Sequence, residues 1–526
     1  MYFKWRYIFK FIFVVPILAA SISSTFGQVV KPDSSLNIII DELQGTPLSL
    51  IDAIDLAKKN STSVRKAEGL YLASLGTLKR ERGFFDPELF FNLYYSDLKV
   101  PSASFFAGAD VLSTQETSSQ TGLRLKLPVG TQLELSVNTT SLNTNSQFAF
   151  LNPEYNAFGS LSFRQPLLGG FTSTGRRQLT QADLEYESAK ALYDQEVIAV
   201  TSEIEKSYWK LYTTERDFGV QKLVRDRAKE FLNETELREK AGLVGPSQVA
   251  SAKTFLAEQE LLLIDQQEAL DAQSDFLASQ IGTRPDSSQV RFKTVNEPPV
   301  DFPVEPVDLL IGYALDGNLQ LQSAQKQIDA ANELVDAAGW EVLPRLDLIG
   351  SLSSSGLGGD SQNVIFGSDT LRSTSGGSFG DMLNQVFERK YPGWSVGVEL
   401  SVPIGFRSGI GEKDRLEAVA FIAEQQYIEF SRNLEESVRK AHRELTNGNL
   451  RLKAATDGVD AAQEQVRIGV IEFQNGRITA FELVRLGEDF AKAQRRYSES
   501  LVRTVNAVAT LKQLTSGRYP ENINNE

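Results

Sequence analysis

Apolar residues recur every three or four positions over two very long stretches of the chain, and each stretch predicts one continuous helix. The first runs from about Arg176 to Lys240 and the second from Arg415 to Phe473. At about 1.5 Å per residue, a helix of some 65 residues is a rod of roughly 100 Å, too long to fold around one compact core. Each rod therefore needs other helices packed along it.

Each long helix is predicted to end at a glycine-containing turn and to be followed by a shorter helix that runs back. The first break is Ala-Gly-Leu-Val-Gly-Pro at 241–246, before a helix over Ser247–Ile281. The second is Gln-Asn-Gly-Arg at 474–477, before a helix over Phe481–Leu514. The chain thus contains two predicted helical hairpins of similar size.

Between the helices the apolar period changes to two residues, which is typical of strands with two different faces. Strands are predicted at Glu88–Ser96, in a hairpin at 121–138, at Ala157–Arg164 and at Trp394–Val402. The polar segments 97–120, 139–156 and 351–390 are predicted to be loops.

The order helix, strand, loop, strand, long helix, turn and shorter helix occurs twice, which predicts an internal duplication. The opening helix Pro47–Arg82 corresponds to a helix that starts at Val307, with Asn60 and Asn318 at nearly equivalent places. Five prolines between Thr283 and Val307 predict a linker, because proline interrupts helices.

The first 27 residues have the charged start, apolar core and small-x-small ending of a secretory signal peptide. Lys4, Arg6 and Lys10 supply the charges. A single membrane anchor is the alternative, which Pro16 and the short apolar run disfavour. No later stretch approaches the roughly 18 apolar residues of a spanning helix, so membrane entry is expected only through strands.

These patterns divide the chain into six parts. They are a signal peptide (1–27), an N-terminal extension (28–46), a first structural repeat (47–282), a Pro-rich linker (283–306), a second structural repeat (307–517) and a C-terminal tail (518–526).

The strands carry Leu, Phe, Tyr, Val and Trp on one face and polar residues on the other, which favours a transmembrane β-barrel. A small soluble sandwich is the alternative. Since roughly four to six strands are too few to close a useful pore, several chains are expected to share one barrel.

Composition excludes some classes of function. The net charge is −14 with scattered charges, and this argues against nucleic acid, which needs a basic face. The absence of cysteine excludes disulfides and thiolate metal sites. The Gly-x-Ser-x-Gly match at 376–380 lies in a predicted loop, not at a strand-to-helix elbow, and His442 is predicted in mid-helix. No enzyme activity, cofactor or metal is therefore expected.

In the order of these elements the chain resembles the TolC-like outer-membrane efflux family over about residues 45–515. The resemblance rests on the duplication, on Gln165–Leu168 at a strand end, on Ala314–Asn318 at the start of the second repeat and on the two turns. It implies a homotrimer. The fold class expected is a membrane α/β protein, with a long α-helical coiled-coil barrel as a periplasmic tunnel, joined to a transmembrane β-barrel shared between protomers. Its expected location is the cell outer membrane, with a periplasmic helical extension.

The resemblance also implies a function. The chain is expected to be the exit duct of a tripartite efflux system, passively conducting small molecules or ions and docking a periplasmic adaptor (membrane fusion) protein and an inner-membrane transporter. The channel of a type I protein secretion system is one alternative, and a coiled-coil structural surface protein is another.

The resemblance implies that gating and adaptor docking occur at the two tip turns, where the tunnel of the family is closed. The candidate residues are Gly242, Leu243, Val244, Gly245, Gln248, Gly476, Arg477, Glu482 and Arg485. Some family members close this end with acidic side chains, but only Glu482 matches, since Gln248 and Arg485 stand at the other places. An acidic cation-binding ring is therefore disfavoured, and a Glu482–Arg485 pair is the alternative.

Two further alternatives stay open at this point. The glycines at the tips also fit a tight turn with no other role. The hairpin 121–138 either adds two strands per chain to the barrel or lies outside it, and the second arrangement is preferred.

Overall fold

The computed structural model describes residues 34–104, 107–171, 173–287, 289–299, 302–366, 369–372 and 376–519. The predicted signal peptide therefore lies outside the described residues, as do the start of the N-terminal extension and most of the C-terminal tail. The helices are α1 Ser34–Asp41, α2 Leu50–Asn60, α3 Thr62–Gly83, α4 Ser173–Lys240, α5 Pro246–Ile281, α6 Val307–Gly317, α7 Leu319–Glu341, α8 Phe379–Phe387, α9 Arg407–Gln474 and α10 Ala480–Leu514. The strands are β1 Thr46–Leu48, β2 Glu88–Pro101, β3 Val111–Lys126, β4 Gln132–Thr144, β5 Leu151–Leu168, β6 Phe292–Thr294, β7 Arg345–Ser361, β8 Asn363–Phe366, β9 Asp369–Arg372 and β10 Pro392–Ser401.

The two long helices and the two returning helices lie close to their predicted positions. α4 and α9 each contain 68 residues, whereas α5 has 36 and α10 has 35. A returning helix therefore covers about half of its long partner. The remainder of α4 packs against α3, and the remainder of α9 packs against α7. Together these helices form an elongated helical body. Within the described part of the chain, no helix is both long and apolar enough to cross a membrane.

The opening helix of each half is interrupted, although one continuous helix was predicted for Pro47–Arg82. The first half breaks after Asn60, and the second half breaks at Asn318. At each break the asparagine side chain donates a hydrogen bond to the last carbonyl of a returning helix. Asn60 Nδ2 lies 3.3 Å from Ile281 O, and Asn318 Nδ2 lies 3.1 Å from Leu514 O. The breaks thus let each returning helix end against an opening helix.

Asn318 also caps α7. Its Oδ1 accepts hydrogen bonds from the backbone N–H groups of Gln320 (3.0 Å) and Leu321 (3.2 Å), and the residue is 4% exposed. We expect Asn318→Ala to lower the free energy of unfolding by about 2 kcal/mol, because a helix cap and a buried donor are both lost.

Thermal unfolding followed by circular dichroism measures this loss. Asn318→Ser is the matched control, since serine supplies a capping oxygen without the amide donor, and it should recover about half of the loss. Equal losses in the two variants would contradict a capping role.

The main hydrophobic core lies at the middle of the helical body, where residues from both halves meet. Its fully buried large side chains include Ile204, Tyr208, Leu211, Leu270, Leu277, Ile281, Leu310, Leu445 and Leu511. This core explains why the two halves form one body.

The Pro-rich linker is non-helical in its described residues, as predicted, and it is bound to α4. Its short strand β6 pairs in parallel with β1. The Tyr208 hydroxyl accepts hydrogen bonds from the N–H groups of Val295 (3.0 Å) and Asn296 (3.1 Å). The carboxylate of Glu215, which is 2% exposed, accepts from the Thr294 N–H at 2.9 Å and from its hydroxyl at 2.5 Å.

The end of the linker is bound to α9. Asn449 Nδ2 donates to Phe302 O at 3.1 Å, and His442 Nε2 lies 3.1 Å from Glu305 O. His442 is half-buried at this contact and lies in the middle of α9. The linker therefore packs around the middle of the helical body, with contacts to both α4 and α9.

The large sheet has six antiparallel strands in the order β10-β7-β5-β4-β3-β2. The preference for placing the hairpin 121–138 outside the sheet is wrong. Its strands belong to β3 and β4, which pair with each other and lie between β2 and β5. Register explains the correction, because Leu123 lies opposite both Leu89 and Leu135, and the apolar faces of all three strands coincide.

The predicted loops are also largely wrong, because the strands extend well beyond their apolar alternation. β2 and β3 cover most of 97–120, β4 and β5 cover most of 139–156, and β7 continues to Ser361. These extensions are rich in Ser, Thr, Asn and Gly. Pairing through backbone hydrogen bonds does not require apolar side chains, so the change in composition does not end the strands.

A short helix, α8, occupies part of the segment predicted as the loop 351–390. It starts with a capping box in which Ser378 Oγ accepts from Asp381 N at 3.2 Å and Asp381 Oδ2 accepts from Ser378 N at 2.9 Å. Ser378 is the serine of the Gly-x-Ser-x-Gly match, and its hydroxyl is hydrogen-bonded to the Asp381 carboxylate at 2.8 Å. The spacing Ser-x-x-Asp was the available sequence signal for this helix.

Candidate functional site at the two tip turns

The first tip turn joins α4 to α5. The N–H of Gly242 donates to Glu239 O at 2.8 Å, and the N–H of Leu243 donates to Arg238 O at 2.9 Å. Gly242 has φ +71°, in the left-handed region. This pair of hydrogen bonds around a left-handed glycine is the Schellman ending of a helix.

The second tip turn, between α9 and α10, has the same construction. Gly476 N–H donates to Phe473 O and Arg477 N–H to Glu472 O, both at 2.9 Å, and Gly476 has φ +69°. In each turn the residue that caps the returning helix, Gly245 or Thr479, follows the glycine by three positions. The two turns are therefore equivalent residue by residue, with Leu243 matching Arg477 and Gln248 matching Glu482.

The left-handed glycines predict a local effect of substitution. Gly476→Val should destabilise the tip by about 1–2 kcal/mol or more, because a β-branched side chain disfavours this backbone conformation. Hydrogen exchange of the amides at 472–483 measures the loss as faster exchange. Gly245→Ala is the control, since Gly245 has φ −88° and no atom lies within 4 Å of an added Cβ. Equally fast exchange in both variants would contradict the assignment.

The pair proposed between Glu482 and Arg485 is not formed. Glu482 Oε2 instead accepts from the Thr479 N–H at 2.8 Å, while Thr479 Oγ1 accepts from Glu482 N at 3.3 Å, which makes a capping box at the start of α10. Arg485 and Gln248 are exposed. The equivalent first turn lacks a capping side chain, since glycine stands at 245.

The outer surface of the tips carries large exposed apolar side chains. Leu243 is 74% exposed and Phe481 is 69% exposed, whereas Val244 is half-buried. Arg477 of the second turn is also exposed. Behind this surface the two tips touch, because Arg238 Cζ lies 4.5 Å from the centroid of the Phe473 ring. Exposed apolar groups at the end of a rod suit a contact with another protein.

At the other end of the molecule, one face of the sheet is apolar. A row of apolar side chains crosses all six strands in register and is exposed throughout. Its members are Leu89, Leu123, Leu135, Leu161, Leu352 and Trp394. The next row, on the opposite face, is polar and consists of Glu88, Arg124, Glu134, Ser162, Ser351 and Ser395.

The polar face of the sheet also holds an ion-pair cluster near the long helices. Asp347, which is nearly fully buried, contacts Arg164 at 2.6 Å and Arg345 at 3.0 Å, and Arg164 also contacts Glu399 at 2.8 Å. Sequence reasoning missed this cluster, because its members come from β5, β7 and β10. The only local signal was Arg345-Leu-Asp347 at the start of β7.

Within the described ranges, no group of three or more His, Asp or Glu side chains is placed to hold a metal ion. The site that the structure assembles is therefore an apolar, partly basic tip at one end of the helical body and a two-faced sheet at the other.

Comparison with known proteins agrees with this arrangement. Residues 310–517 match the family described as "Outer membrane efflux protein". The predicted resemblance is confirmed, and the family description supports the predicted outer-membrane location. A sequence comparison with curated proteins gives no match.

Solved structures with the same fold cover almost the whole chain. They include the outer-membrane channel OprN (15% identity, TM-score 0.62, 92% of each chain), VceC of Vibrio cholerae (17%, 0.61, 89% of this chain and 96% of that one) and CmeC of Campylobacter jejuni (15%, 0.61, 89% and 85%). At these identities the likeness confirms the fold, a long helical body joined to a β-domain.

Proposed function

Because residues 310–517 match the outer membrane efflux protein family, we propose that this chain is the exit duct of a tripartite efflux system. Small molecules or ions would pass through it passively, across the periplasm and the outer membrane. The supporting observation is the pair of hairpins α4–α5 and α9–α10, which have nearly equal lengths and the same turn. Helices of 68 residues span roughly 100 Å and suit the wall of a conduit.

A conduit requires more than one copy of the chain. The sheet ends in β2 on one side and β10 on the other, and each has one edge with no partner strand among the described residues. Because six strands alternate in direction, β10 of one copy can pair antiparallel with β2 of the next. We place three copies around the axis, with the apolar row facing outward and the polar face toward the passage.

The tip turns are the proposed site for the periplasmic adaptor, through which the inner-membrane transporter is reached. Leu243 and Phe481 offer apolar contacts, and Arg477 adds a positive charge at the equivalent position of the second turn. Movement of these tips apart would open the passage.

Ethidium accumulation in the native host tests this proposal. Cells lacking the chain should accumulate more ethidium, and the wild-type chain should restore export. The double variant Leu243→Asp with Phe481→Asp should fail to restore it, because charged side chains would occupy the apolar contact. Ile51→Asp is the control, since Ile51 of α2 is similarly exposed but lies away from the tips. Export by the tip variant equal to that of the control would refute docking there.

A further inference from the structure

The helix α8 lies on the apolar face of the sheet, at the end away from the long helices. Its buried side chains Met382 and Val386 pack against Ala157 of β5. The sheet beneath is built from small residues that leave room for it. A Cβ added at Gly159 would lie 2.6 Å from Val386 Cγ1, and one added at Gly356 would overlap the backbone of Met382. The small residues of β5 and β7 therefore form a packing site that fits α8.

α8 also protects the edge of the sheet. β7 extends beyond the start of β10, so Leu357 has no partner in β10. Gln385 of α8 fills this role, because its Oε1 accepts from Leu357 N at 3.1 Å and its Nε2 donates to Leu357 O at 3.0 Å. These two bonds fix the helix along the sheet.

The outward side of α8 and of the segment that follows is aromatic. Phe387 is 71% exposed and Trp394 is 77% exposed. Phe379 at the start of α8 and Tyr391 just before β10 are also exposed. Trp394 belongs to the apolar row defined above, so this aromatic group continues the apolar face of the sheet.

The position of this aromatic group relative to the apolar band of a membrane follows from β10. Its outward side chains, from Leu400 to Trp394, are all apolar and exposed. The 10 residues of β10 cross roughly 25 Å if the strand is tilted by about 45°, and this equals the apolar band of a membrane-spanning sheet. α8 directly precedes β10 and therefore lies at the upper border of that band, where aromatic side chains collect.

Two basic residues complete the group. Arg389 and Lys390 are exposed, and neither forms an ion pair with a described residue. The Lys390 ammonium lies 5.8 Å from the centroid of the Tyr391 ring. Asp381 lies at the opposite end of the helix, where Ser378 is hydrogen-bonded to its carboxylate. Beside the aromatic side chains, Arg389 and Lys390 outweigh the single negative charge of Glu388, so the net charge there is positive.

We propose that α8 together with residues 388–394 is an interfacial anchor, which lies flat in the head-group layer of the outer leaflet and binds anionic lipid head groups. The aromatic side chains enter the acyl boundary, and Arg389 and Lys390 contact the negative head groups. This inference rests on the membrane position given to the sheet in the proposed function.

Site-directed fluorescence tests the anchor, since the chain has no cysteine and a single introduced one is unique. Phe387→Cys, Val396→Cys and Asp369→Cys are each labelled with bimane in the full chain, in phosphatidylcholine–phosphatidylglycerol vesicles. Quenchers are a head-group nitroxide lipid, a lipid brominated in mid-chain, and aqueous iodide. Position 387 should respond most to the nitroxide, at about 5–10 Å below the head groups. Position 396 should respond most to bromine, and position 369 to iodide.

Each other outcome is informative. If position 387 responds to iodide alone while position 396 responds to bromine, the anchor is wrong and the membrane position of the sheet stands. If position 387 responds to no quencher, another copy of the chain covers α8 and the anchor is also wrong. If position 396 does not respond to bromine, the membrane position fails, and the anchor fails with it.

The charge component has its own variant. In the labelled Phe387→Cys chain, Arg389→Gln with Lys390→Gln should abolish the extra nitroxide quenching that phosphatidylglycerol gives over phosphatidylcholine alone. Lys58→Gln with Lys59→Gln, an adjacent exposed pair on α2, is the control and should leave it unchanged. Undiminished quenching in the 389/390 variant would overturn recognition of anionic head groups.

Discussion

Lysine at Val396 is expected to weaken insertion of the sheet into a bilayer by about 2–4 kcal/mol per chain, which is the cost of a charge near the membrane midplane. Val396 lies in the middle of β10, is 63% exposed and faces the same side as Trp394. If several copies share one closed sheet, the cost is multiplied by their number. The variant should therefore remain largely outside the membrane.

Ser395→Lys is the matched control, because Ser395 is the adjacent residue and points to the polar face. There its hydroxyl lies 2.8 Å from that of Ser351. Flotation of purified protein with phosphatidylcholine liposomes, across a urea series, measures insertion. A loss for Ser395→Lys equal to that for Val396→Lys would mean that the two faces of the sheet do not differ in their surroundings.

The second large effect is a fall in stability as pH rises from about 4.5 to 7. Burial raises the pKa of Glu215 from 4.5 to about 7, although hydrogen bonds from Thr294 oppose this shift. Over that pH range the folded protein holds a proton on Glu215 that the unfolded chain has already lost. The contribution of Glu215 to the free energy of unfolding is therefore at its full value below pH 4.5. It falls by about 3 kcal/mol as pH approaches 7.

Glu215→Gln should remove most of this fall, because the amide is neutral at every pH and its oxygen can still accept from Thr294. A smaller fall should remain from Asp217, since burial raises its pKa to about 6. Chemical unfolding of the helical body in detergent from pH 4.5 to 8 measures the profile. Glu230→Gln, at an exposed position of the same helix, should leave it unchanged. A profile for Glu215→Gln as steep as the wild type would contradict the assignment.

The long helices and the turns that end them could be predicted from the sequence, because they depend on local patterns. The stripes that end at Lys240 and Phe473 locate α4 and α9 to within a few residues at their tip ends. Gly242 and Gly476 mark the turns, since a left-handed backbone position favours glycine. That other helices pack along each long helix followed from its length alone.

Features that depend on register or on distant contacts could not be predicted in this way. The place of β3 and β4 in the sheet depends on Leu123 meeting Leu89 and Leu135, which no local pattern records. Glu215 lies in an ordinary helical stretch, and only the folded linker brings Thr294 to it. At the tip, Glu482 had two local partners at similar spacing, and the capping geometry of Thr479 selects one of them.

Single-channel recording in planar bilayers tests the central proposal most directly, that copies of this chain enclose a passage which ends at the tip turns. Purified wild-type protein in potassium chloride should give discrete but small current steps, because we propose that the tips close the resting duct. Gly242→Val with Gly476→Val should give larger steps, since both turns at the proposed closure are loosened. The absence of steps from both proteins, with bimane at position 396 still quenched by brominated lipid, would contradict the account.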